Sequence, residues 1–225
     1  MTPNQITALR VLMALAAVAL FGRHLPANMI AVGLTLAAIA LDAVDGYVAR
    51  RRNLSTPLGA QLDILGDRLI ENLFFTYFAV TGLISFWVPL LFFFRGTLTD
   101  FLRELAWRSG RVGFGRNSMM ETWWGRALVA SRFSRAAYGV LKCVCFCYLG
   151  LQLTLSSAGS GTVLASLARA WKYELMAGVQ ILVLATVAFC LLRGLPVLWE
   201  GRRFLASPVG QPVHETNPAL AGAKQ

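Results

Sequence analysis

Six long stretches of apolar or amphipathic residues account for most of this chain. They fall at roughly 5–22, 27–49, 58–83, 85–106, 122–157 and 171–199. Each is about long enough for the ~20 residues that a helix needs to cross the hydrocarbon core of a bilayer. Hydrophobic residues make up 56% of the 225 and charged residues only 14%, which excludes an ordinary soluble domain. We therefore predict an all-α integral membrane bundle of six transmembrane helices over residues 1–205.

The positions of the basic residues predict which side of the membrane each connection faces. Lysines and arginines cluster at 50–52, 103–116 and 202–203, whereas the connections near 83–86 and 158–168 carry none. The positive-inside rule then places both termini in the cytoplasm, and we expect the cytoplasmic membrane of a bacterium. Part of the net charge of +10 can also attract anionic headgroups or a phosphorylated substrate. No basic stripe lies outside membrane-flanking positions, so we expect no nucleic-acid partner.

The chain carries no internal repeat, and its last segment differs from the six stretches. Many transporters are built from duplicated halves, so a sequence without a repeat favours other membrane functions. Residues 206–225 hold prolines and small residues without helical periodicity. We expect this segment to be a disordered cytosolic tail.

Four aspartates lie in otherwise apolar helical sequence on either side of a short polar turn. Asp42 and Asp45 precede the turn and are three residues apart. Asp63 and Asp67 follow it and are four apart, so each pair shares one face of its helix. The turn ends at Pro57, which suits the first turn of a helix. Both pairs lie at matching distances from the turn, so a helical hairpin would bring the four carboxylates together around a polar cavity open to the cytosol.

The charge of these aspartates requires a partner. An ionised Asp costs ~2.5–3.5 kcal/mol at bilayer depth, and carboxylates at close range either protonate or recruit cations. Hard divalent ions with oxygen ligands satisfy this requirement, and Gly46 and Gly59 leave space for a ligand nearby. Arg50 adds a planar positive charge that suits phosphate. Together these residues indicate a pyrophosphate site with divalent cations; the alternative is that the aspartates are buried structural residues.

The same residues resemble the signature of a known family. The stretch from Asp42 to Asp67 matches D-x2-D-G-x2-A-R-x8-G-x3-D-x3-D, the signature of the CDP-alcohol phosphotransferase family, at every position. The matching residues are Asp42, Asp45, Gly46, Ala49, Arg50, Gly59, Asp63 and Asp67. Eight residues at fixed spacing make this a specific match. Within the family, the chain is most similar to phosphatidylglycerophosphate and phosphatidylinositol-phosphate synthases.

The resemblance implies a reaction and a set of site residues. The reaction would be transfer of a phosphatidyl group from CDP-diacylglycerol to a polar alcohol, with release of CMP. Two Mg²⁺ or Mn²⁺ ions would be held by Asp42, Asp45, Asp63 and Asp67. Asp67 would also take the proton from the acceptor hydroxyl. The CDP group would be contacted by Gly46, Ala49, Arg50 and Gly59. A homodimer with a six-helix core in the lipid bilayer is the family expectation.

The beginning of the first stretch carries a further resemblance. Asn4, Thr7 and Arg10 lie on neighbouring turns and are similar to the N-x2-T-x2-R entrance of many family members. The resemblance implies that they contact the cytidine and its phosphates, and we take Asn4 and Thr7 as candidate CDP-binding residues. The alternative is that Asn4 or Thr7 caps the helix and Arg10 marks the cytoplasmic face.

An arginine-bearing polar face marks the fifth stretch. One face of the predicted helix carries Ser131, Arg132, Arg135, Tyr138 and Lys142. Such a face inside a span should line a water-filled cavity. In the related synthases this region supplies basic residues for the acceptor's phosphate, so the resemblance implies that Arg132 and Arg135 bind a phosphorylated acceptor. The chain departs from the G-K-x-K-T pattern of glycerophosphate enzymes at 125–128, which leaves glycerol 3-phosphate and inositol 1-phosphate both open.

Two further charged residues lie in apolar sequence. Arg95 is the deepest arginine of the fourth stretch, and we include it among the candidate acceptor-binding residues. Glu71 continues the line of Asp63 and Asp67, and we expect it to pair with an arginine on a neighbouring helix. A wider metal or acceptor site is the alternative for Glu71. For the whole chain, the alternative of a different class is a cation or proton-coupled transporter that uses the aspartates as a relay.

Overall fold

The computed structural model of the chain is built from helices joined by short connections. It describes residues 3–52, 57–108, 119–158 and 162–205, apart from the side chains of residues 3, 42–52, 57, 58, 60, 132, 164 and 167. The helices are α1 Pro3–Leu20, α2 Leu25–Arg52, α3 Pro57–Val80, α4 Trp87–Arg108, α5 Trp123–Gly125, α6 Arg132–Ser156, α7 Val163–Ala170 and α8 Lys172–Leu205. A π-helical turn, Arg126–Ala130, follows α5. The described ranges contain no strand, so the all-α prediction is confirmed.

The predicted apolar stretches correspond to helices, but their membrane character differs. By length and composition, two helices in the described part of the chain can cross a membrane, at Phe133–Ser156 and Lys172–Leu205. Shorter apolar helices lie at Asn4–Leu20 and Leu25–Leu41. The number of six transmembrane helices therefore stays a prediction. Residues 206–225, for which we predicted a disordered tail, lie outside the described residues.

The first of two compact units comprises Met1–Phe92 and Val140–Val187. In this unit α1 packs against both α2 and α3. Phe74 and Phe75 of α3 are fully buried, and both rings meet Phe146 of α6, at centroid distances of 5.1 and 4.8 Å. Phe75 also contacts Phe92, at 4.3 Å. Aromatic pairs at such distances stabilise a core beyond the area that they bury, so this cluster fixes α3, which carries two of the aspartates.

The second unit comprises Phe93–Gly139 and Ala188–Gln225. Its core cluster consists of Leu102, Ala106, Met119, Met120, Val129 and Val197. These residues come from α4, the approach to α5, the π-helical turn and α8. The cluster therefore holds the residues before α6 against the last helix within this unit.

The fifth stretch is not one continuous helix as predicted. Ser131 has an extended conformation, with φ −66° and ψ 138°, between the π-helical turn and α6. The Ser131 hydroxyl accepts a hydrogen bond from the Ser134 N–H at 3.1 Å, which caps the start of α6. The Ser134 hydroxyl donates to the Leu128 carbonyl at 2.6 Å. These bonds satisfy backbone groups that a continuous helix would have paired, so Ser131 lies outside the helix that carries Arg135 and Tyr138.

Candidate active site

The two helices of the predicted hairpin carry the four aspartates. α2 remains helical to Arg52, and α3 begins at Pro57, so the prediction of a helix on each side of the polar segment is confirmed. Residues 53–56 lie outside the described residues. The described backbone places Asp42 and Asp45 on α2, with Asp63 and Asp67 on α3. The structure does not describe the side chains of Asp42, Asp45, Ala49 and Arg50. It describes no contact of Gly46 either.

Arg10 of α1 binds both described aspartates. Its Nη1 donates to Asp63 Oδ1 at 3.2 Å, and its Nη2 donates to Asp67 Oδ1 at 2.8 Å. The arginine side chain is only 3% exposed, whereas the two carboxylates are 48% and 44% exposed. A buried guanidinium therefore orients two carboxylates that remain accessible to a ligand. Each carboxylate offers one oxygen to this contact, and carboxylate oxygens also bind divalent cations.

The same guanidinium also contacts α2. Arg10 Nε donates to the Ala38 carbonyl oxygen at 3.2 Å. Asp42 lies four residues after Ala38, which is about one helical turn. Arg10 therefore joins α1 to α3 at the level of Asp63 and Asp67, and to α2 one turn before the first aspartate. The convergence of the two aspartate pairs stays a prediction, because the side chains of Asp42 and Asp45 lie outside the described residues.

Close packing of α1 on α3 positions this contact. A Cβ atom built on Gly66 would lie 2.7 Å from Thr7 Cγ2, so only glycine permits the observed approach. Thr7 is buried at this approach, and Asn4 is exposed. Of the three entrance residues, Arg10 has a contact that neither of our interpretations included. The position of Arg10 within the first apolar stretch indicated that this arginine needs a partner. The sequence did not identify the two carboxylate partners, which lie 53 and 57 residues away.

The donor set of this site fits a hard divalent cation. Among the described side chains there is no group of three His, Cys, Asp or Glu residues gathered for a metal ion. Asp63 and Asp67 are nevertheless held together by one arginine, and both are about half exposed. Carboxylate oxygens are the ligands that Mg²⁺ and Mn²⁺ prefer. These two residues can therefore contribute to a metal site, and the contribution of Asp42 and Asp45 stays a prediction.

Glu71 has a structural environment. Its carboxylate is buried, with Oε2 3.1 Å from Arg68 Nη1 and Oε1 3.4 Å from Lys142 Nζ. An ion-pair role was predicted, but the partner on the neighbouring helix α6 is a lysine, and the arginine belongs to α3 itself. Because each oxygen has a cationic partner, the carboxylate can remain buried in its charged form.

The candidate acceptor residues belong to the second unit. Arg95 is 8% exposed, and its Nε is buried without a hydrogen-bond partner among the described residues. Gly194 of α8 makes room for it, since a Cβ there would lie 3.0 Å from Arg95 Nε. Arg135 is exposed, and the side chain of Arg132 lies outside the described residues. Arg95 is thus a buried cation with unused hydrogen-bonding capacity, which suits an anionic ligand.

The acidic residues of α4 pair with other arginines. Asp100 accepts from Arg103 at 3.2 Å, and Glu104 accepts from Arg108 at 3.0 Å. Asp100 and Arg103 are three residues apart, so they lie on one face of α4. Since both carboxylates are engaged one turn along α4, they do not explain the burial of Arg95.

Two buried charges of α8 were not predicted to have a role. Arg193 is 7% exposed, donates from Nη1 to the Ser134 carbonyl oxygen at 3.3 Å and lies over the Tyr138 ring at 5.2 Å. Glu200 is 1% exposed and accepts hydrogen bonds from residues 121 and 122. A charged residue inside an apolar helix usually indicates a functional role. Both residues lie near the charged end of the last stretch, where membrane-flanking charges are ordinary.

The chain resembles known proteins over most of its length. A family model described as CDP-alcohol phosphatidyltransferase matches residues 1–171. A CDP-diacylglycerol--glycerol-3-phosphate 3-phosphatidyltransferase from Pseudomonas fluorescens is 46% identical to this chain over 71 residues. That match covers 30% of this chain and 35% of the relative, so it spans about a third of the relative's length. The family match includes the four aspartates, Arg10 and the candidate acceptor arginines, and it ends before Arg193 and Glu200.

Proposed function

The chain belongs to the CDP-alcohol phosphatidyltransferase family, and from this premise we propose that it transfers a phosphatidyl group from CDP-diacylglycerol to glycerol 3-phosphate and releases CMP. The observation that carries the proposal is the buried Arg10, which orients Asp63 and Asp67 within the eight-residue signature. The name of the Pseudomonas relative supports glycerol 3-phosphate as the acceptor. Inositol 1-phosphate is the second candidate, because residues 125–128 depart from the pattern of glycerophosphate enzymes.

We assign the divalent metals to the aspartates of the signature. The proposed ligands are Asp42, Asp45, Asp63 and Asp67. Two Mg²⁺ or Mn²⁺ ions, when bound, would supply positive charge to neutralise the pyrophosphate and its leaving group. Phosphoryl transfer depends mainly on positioning and charge neutralisation, and Arg10 contributes to positioning by orienting Asp63 and Asp67.

The proposed base is Asp67. One of its oxygens accepts from Arg10 at 2.8 Å, which orients the carboxylate while the side chain stays 44% exposed. We assign the proton of the acceptor hydroxyl to its second oxygen. The CDP group is assigned to Asn4, Thr7, Gly46, Ala49, Arg50 and Gly59. Thr7 is buried against Gly66, one residue before Asp67, which supports a role close to the reacting groups.

The acceptor's phosphate is assigned to Arg95, Arg132 and Arg135. The buried Nε of Arg95 supports this assignment, because a guanidinium with unused donors at low exposure gains most from an anion. We further propose six transmembrane helices, a site that faces the cytoplasm of a bacterial cell and a homodimer. In that arrangement the acyl chains of CDP-diacylglycerol remain in the bilayer while its headgroup reaches the aspartates.

An acceptor screen tests the proposal. The full chain is purified in detergent and incubated with labelled CDP-diacylglycerol and Mg²⁺. Glycerol 3-phosphate and inositol 1-phosphate are compared with glycerol and inositol, which are matched controls without the phosphate. We expect CMP and a phosphatidylglycerophosphate product with glycerol 3-phosphate only. Product formation with inositol 1-phosphate alone would correct the acceptor. No CMP with any acceptor would reject phosphatidyl transfer and favour a transporter.

A further inference from the structure

Two buried charged residues of α8 contact one segment of the second unit. The segment 121–134 comprises Glu121, Thr122, α5, the π-helical turn, Ser131 and the first residues of α6. Glu200 contacts its beginning and Arg193 contacts its end. The two charges are seven residues apart, about two helical turns, so they lie on one face of α8. Both lie beyond residues 1–171, over which the family match extends.

Glu200 holds the beginning of the segment with both carboxylate oxygens. Oε2 accepts from the backbone N–H of Glu121, and Oε1 accepts from the Thr122 hydroxyl at 2.5 Å. The Thr122 oxygen in turn accepts from the backbone N–H of Gly125 at 3.2 Å, so it caps α5. A Cβ on Gly125 would lie 2.5 Å from Glu200 Oε1. The carboxylate therefore lies directly against the start of the helical turn.

Neighbouring contacts reinforce this end of the segment. Arg203 of α8 pairs with the Glu121 carboxylate. Arg126 Nε donates to the Met120 carbonyl oxygen at 3.2 Å. Met120 is fully buried in the core cluster with Val197 of α8. Polar and apolar contacts thus fix the same stretch of chain to α8, and Glu200 provides the buried polar part.

Arg193 holds the end of the segment. Its Nη1 donates to the Ser134 carbonyl oxygen at 3.3 Å, in the first turn of α6. Its guanidinium lies over the Tyr138 ring, one turn further along, with 5.2 Å to the centroid. The Ser134 hydroxyl donates to the Leu128 carbonyl, which connects α6 back to the π-helical turn. The first turn of α6 is therefore fixed from α8 as well.

The part of the segment between these two contacts is irregular. It contains the π-helical turn, Arg126–Ala130, and the extended Ser131. π-Helical turns are rare and are frequently found at functional sites. Such a turn lacks the regular i→i−4 hydrogen bonds of an α-helix. We therefore expect its conformation to depend on contacts at both of its ends. Arg132 follows Ser131 directly, and Arg135 lies one turn later.

We propose that Glu200 and Arg193 are positioning residues that hold segment 121–134 at both ends and thereby set the positions of Arg132 and Arg135 for the acceptor's phosphate. The inference rests on the proposed function in one respect, the assignment of Arg132 and Arg135 to the acceptor. It adds that α8, beyond the matched region, determines the affinity for the acceptor. Changes at Glu200 should therefore act on the acceptor and spare the binding of CDP-diacylglycerol.

Three conservative variants test this role kinetically. Glu200→Gln leaves one acceptor oxygen for two donors, the Glu121 N–H and the Thr122 hydroxyl. Thr122→Val removes the hydroxyl at nearly constant volume, and Arg193→Met removes the donor to Ser134. Each should raise the KM for glycerol 3-phosphate about fivefold to tenfold, with the KM for CDP-diacylglycerol within about twofold of wild type. The matched control is Arg202→Ala, an exposed arginine of α8 that stacks on Trp199 of its own helix. The control should keep both KM values.

Hydrogen exchange provides a readout that does not depend on activity. Peptides that cover 119–135 should exchange faster in Glu200→Gln and Thr122→Val, while peptides from α1 to α3 should be unchanged. A wild-type acceptor KM in both folded variants, or an equal rise of both KM values, would overturn the inference. Unchanged exchange over 119–135 would overturn it too. A wild-type chain that releases no CMP would instead reject the proposed function, and exchange would still decide whether α8 holds the segment.

Discussion

At the scale of single residues, Arg10 connects three helices through one guanidinium. It donates to Asp63, to Asp67 and to the Ala38 carbonyl, and it is almost fully buried. Loss of a buried partner costs about 3–5 kcal/mol, but both carboxylates here are about half exposed, which reduces the cost to roughly 1–2 kcal/mol. The main consequence of removing Arg10 is the loss of the orientation of two proposed metal ligands.

We expect Arg10→Met to weaken metal binding and activity together. Turnover should fall about tenfold or more, since misplaced ligands impair charge neutralisation. Direct titration with Mn²⁺ in the absence of substrate should show a weaker dissociation constant. Arg23→Met is the matched control, because Arg23 is exposed just after α1 and its Nε donates to the Ala19 carbonyl. Unchanged Mn²⁺ affinity in Arg10→Met would show that the guanidinium does not organise the site.

Asp67→Asn and Asp45→Asn should differ in what they lose. If Asp67 accepts the proton, its amide variant loses about 10²–10⁴ in turnover but keeps most of its affinity for CDP-diacylglycerol. Asp45→Asn should lose affinity for both metal and donor, because it removes a charged ligand. Donor binding and turnover are measured for both at saturating Mg²⁺. Equal loss of donor affinity would mean that Asp67 is a further ligand and that the base lies elsewhere.

The contacts of single residues show the limit of inference from sequence. The aspartate signature could be identified because its eight residues lie within one hairpin. The partners of Arg10 and Glu200 lie 28 to 79 residues away, and side-chain type alone does not select among such distant groups. Glu71 illustrates the same limit, since an ion pair was predictable, but its partners Arg68 on the same helix and Lys142 on α6 were not.

At the scale of helices, the apolar pattern predicted where helices occur and missed where one breaks. The residues of the π-helical turn, RALVA, are apolar apart from Arg126 and are mostly good helix formers, so local propensity predicts continuity through Ser131. The break is stabilised by tertiary contacts, with Glu200 before it and Arg193 after it. Such overrides of propensity become visible only when the packed neighbours are known.

The role of the contact between Arg95 and α8 can be tested by adding one methyl group at Gly194. Gly194→Ala would place a Cβ 3.0 Å from Arg95 Nε and 3.1 Å from its Cγ. The arginine must then shift, and we expect a several-fold higher KM for the acceptor with a stability loss of about 1 kcal/mol. Gly139→Ala is the control, because a Cβ there meets nothing within 4 Å and helix propensity favours alanine. Acceptor KM equal in the two variants would exclude Arg95 from the acceptor site.

At the scale of the whole molecule, charged residues interrupt the apolar sequence of several helices. α3 carries Asp63, Asp67, Arg68 and Glu71, and α4 carries Arg95, Asp100, Arg103 and Glu104. In the described part of the chain, the helical stretches Phe133–Ser156 and Lys172–Leu205 are long and apolar enough to cross a membrane, whereas charges lie within the apolar sequence of α3 and α4. Intramembrane charges usually mark function, so the residues of the proposed site would also make a span harder to recognise from composition. The all-α class could therefore be predicted from the sequence, but composition did not establish the number of membrane-spanning helices.

The most direct test of the central claim is the quantity of CMP formed when the purified chain meets CDP-diacylglycerol and glycerol 3-phosphate. The reaction is run in EDTA, then with Mg²⁺ restored, and Asp63→Asn is the matched inactive variant. We predict CMP and phosphatidylglycerophosphate in equal amounts, only when Mg²⁺ and acceptor are both present and only with the wild-type chain. CMP formation that continues in EDTA, proceeds equally without acceptor or persists in Asp63→Asn would contradict metal-dependent transfer at the aspartate site.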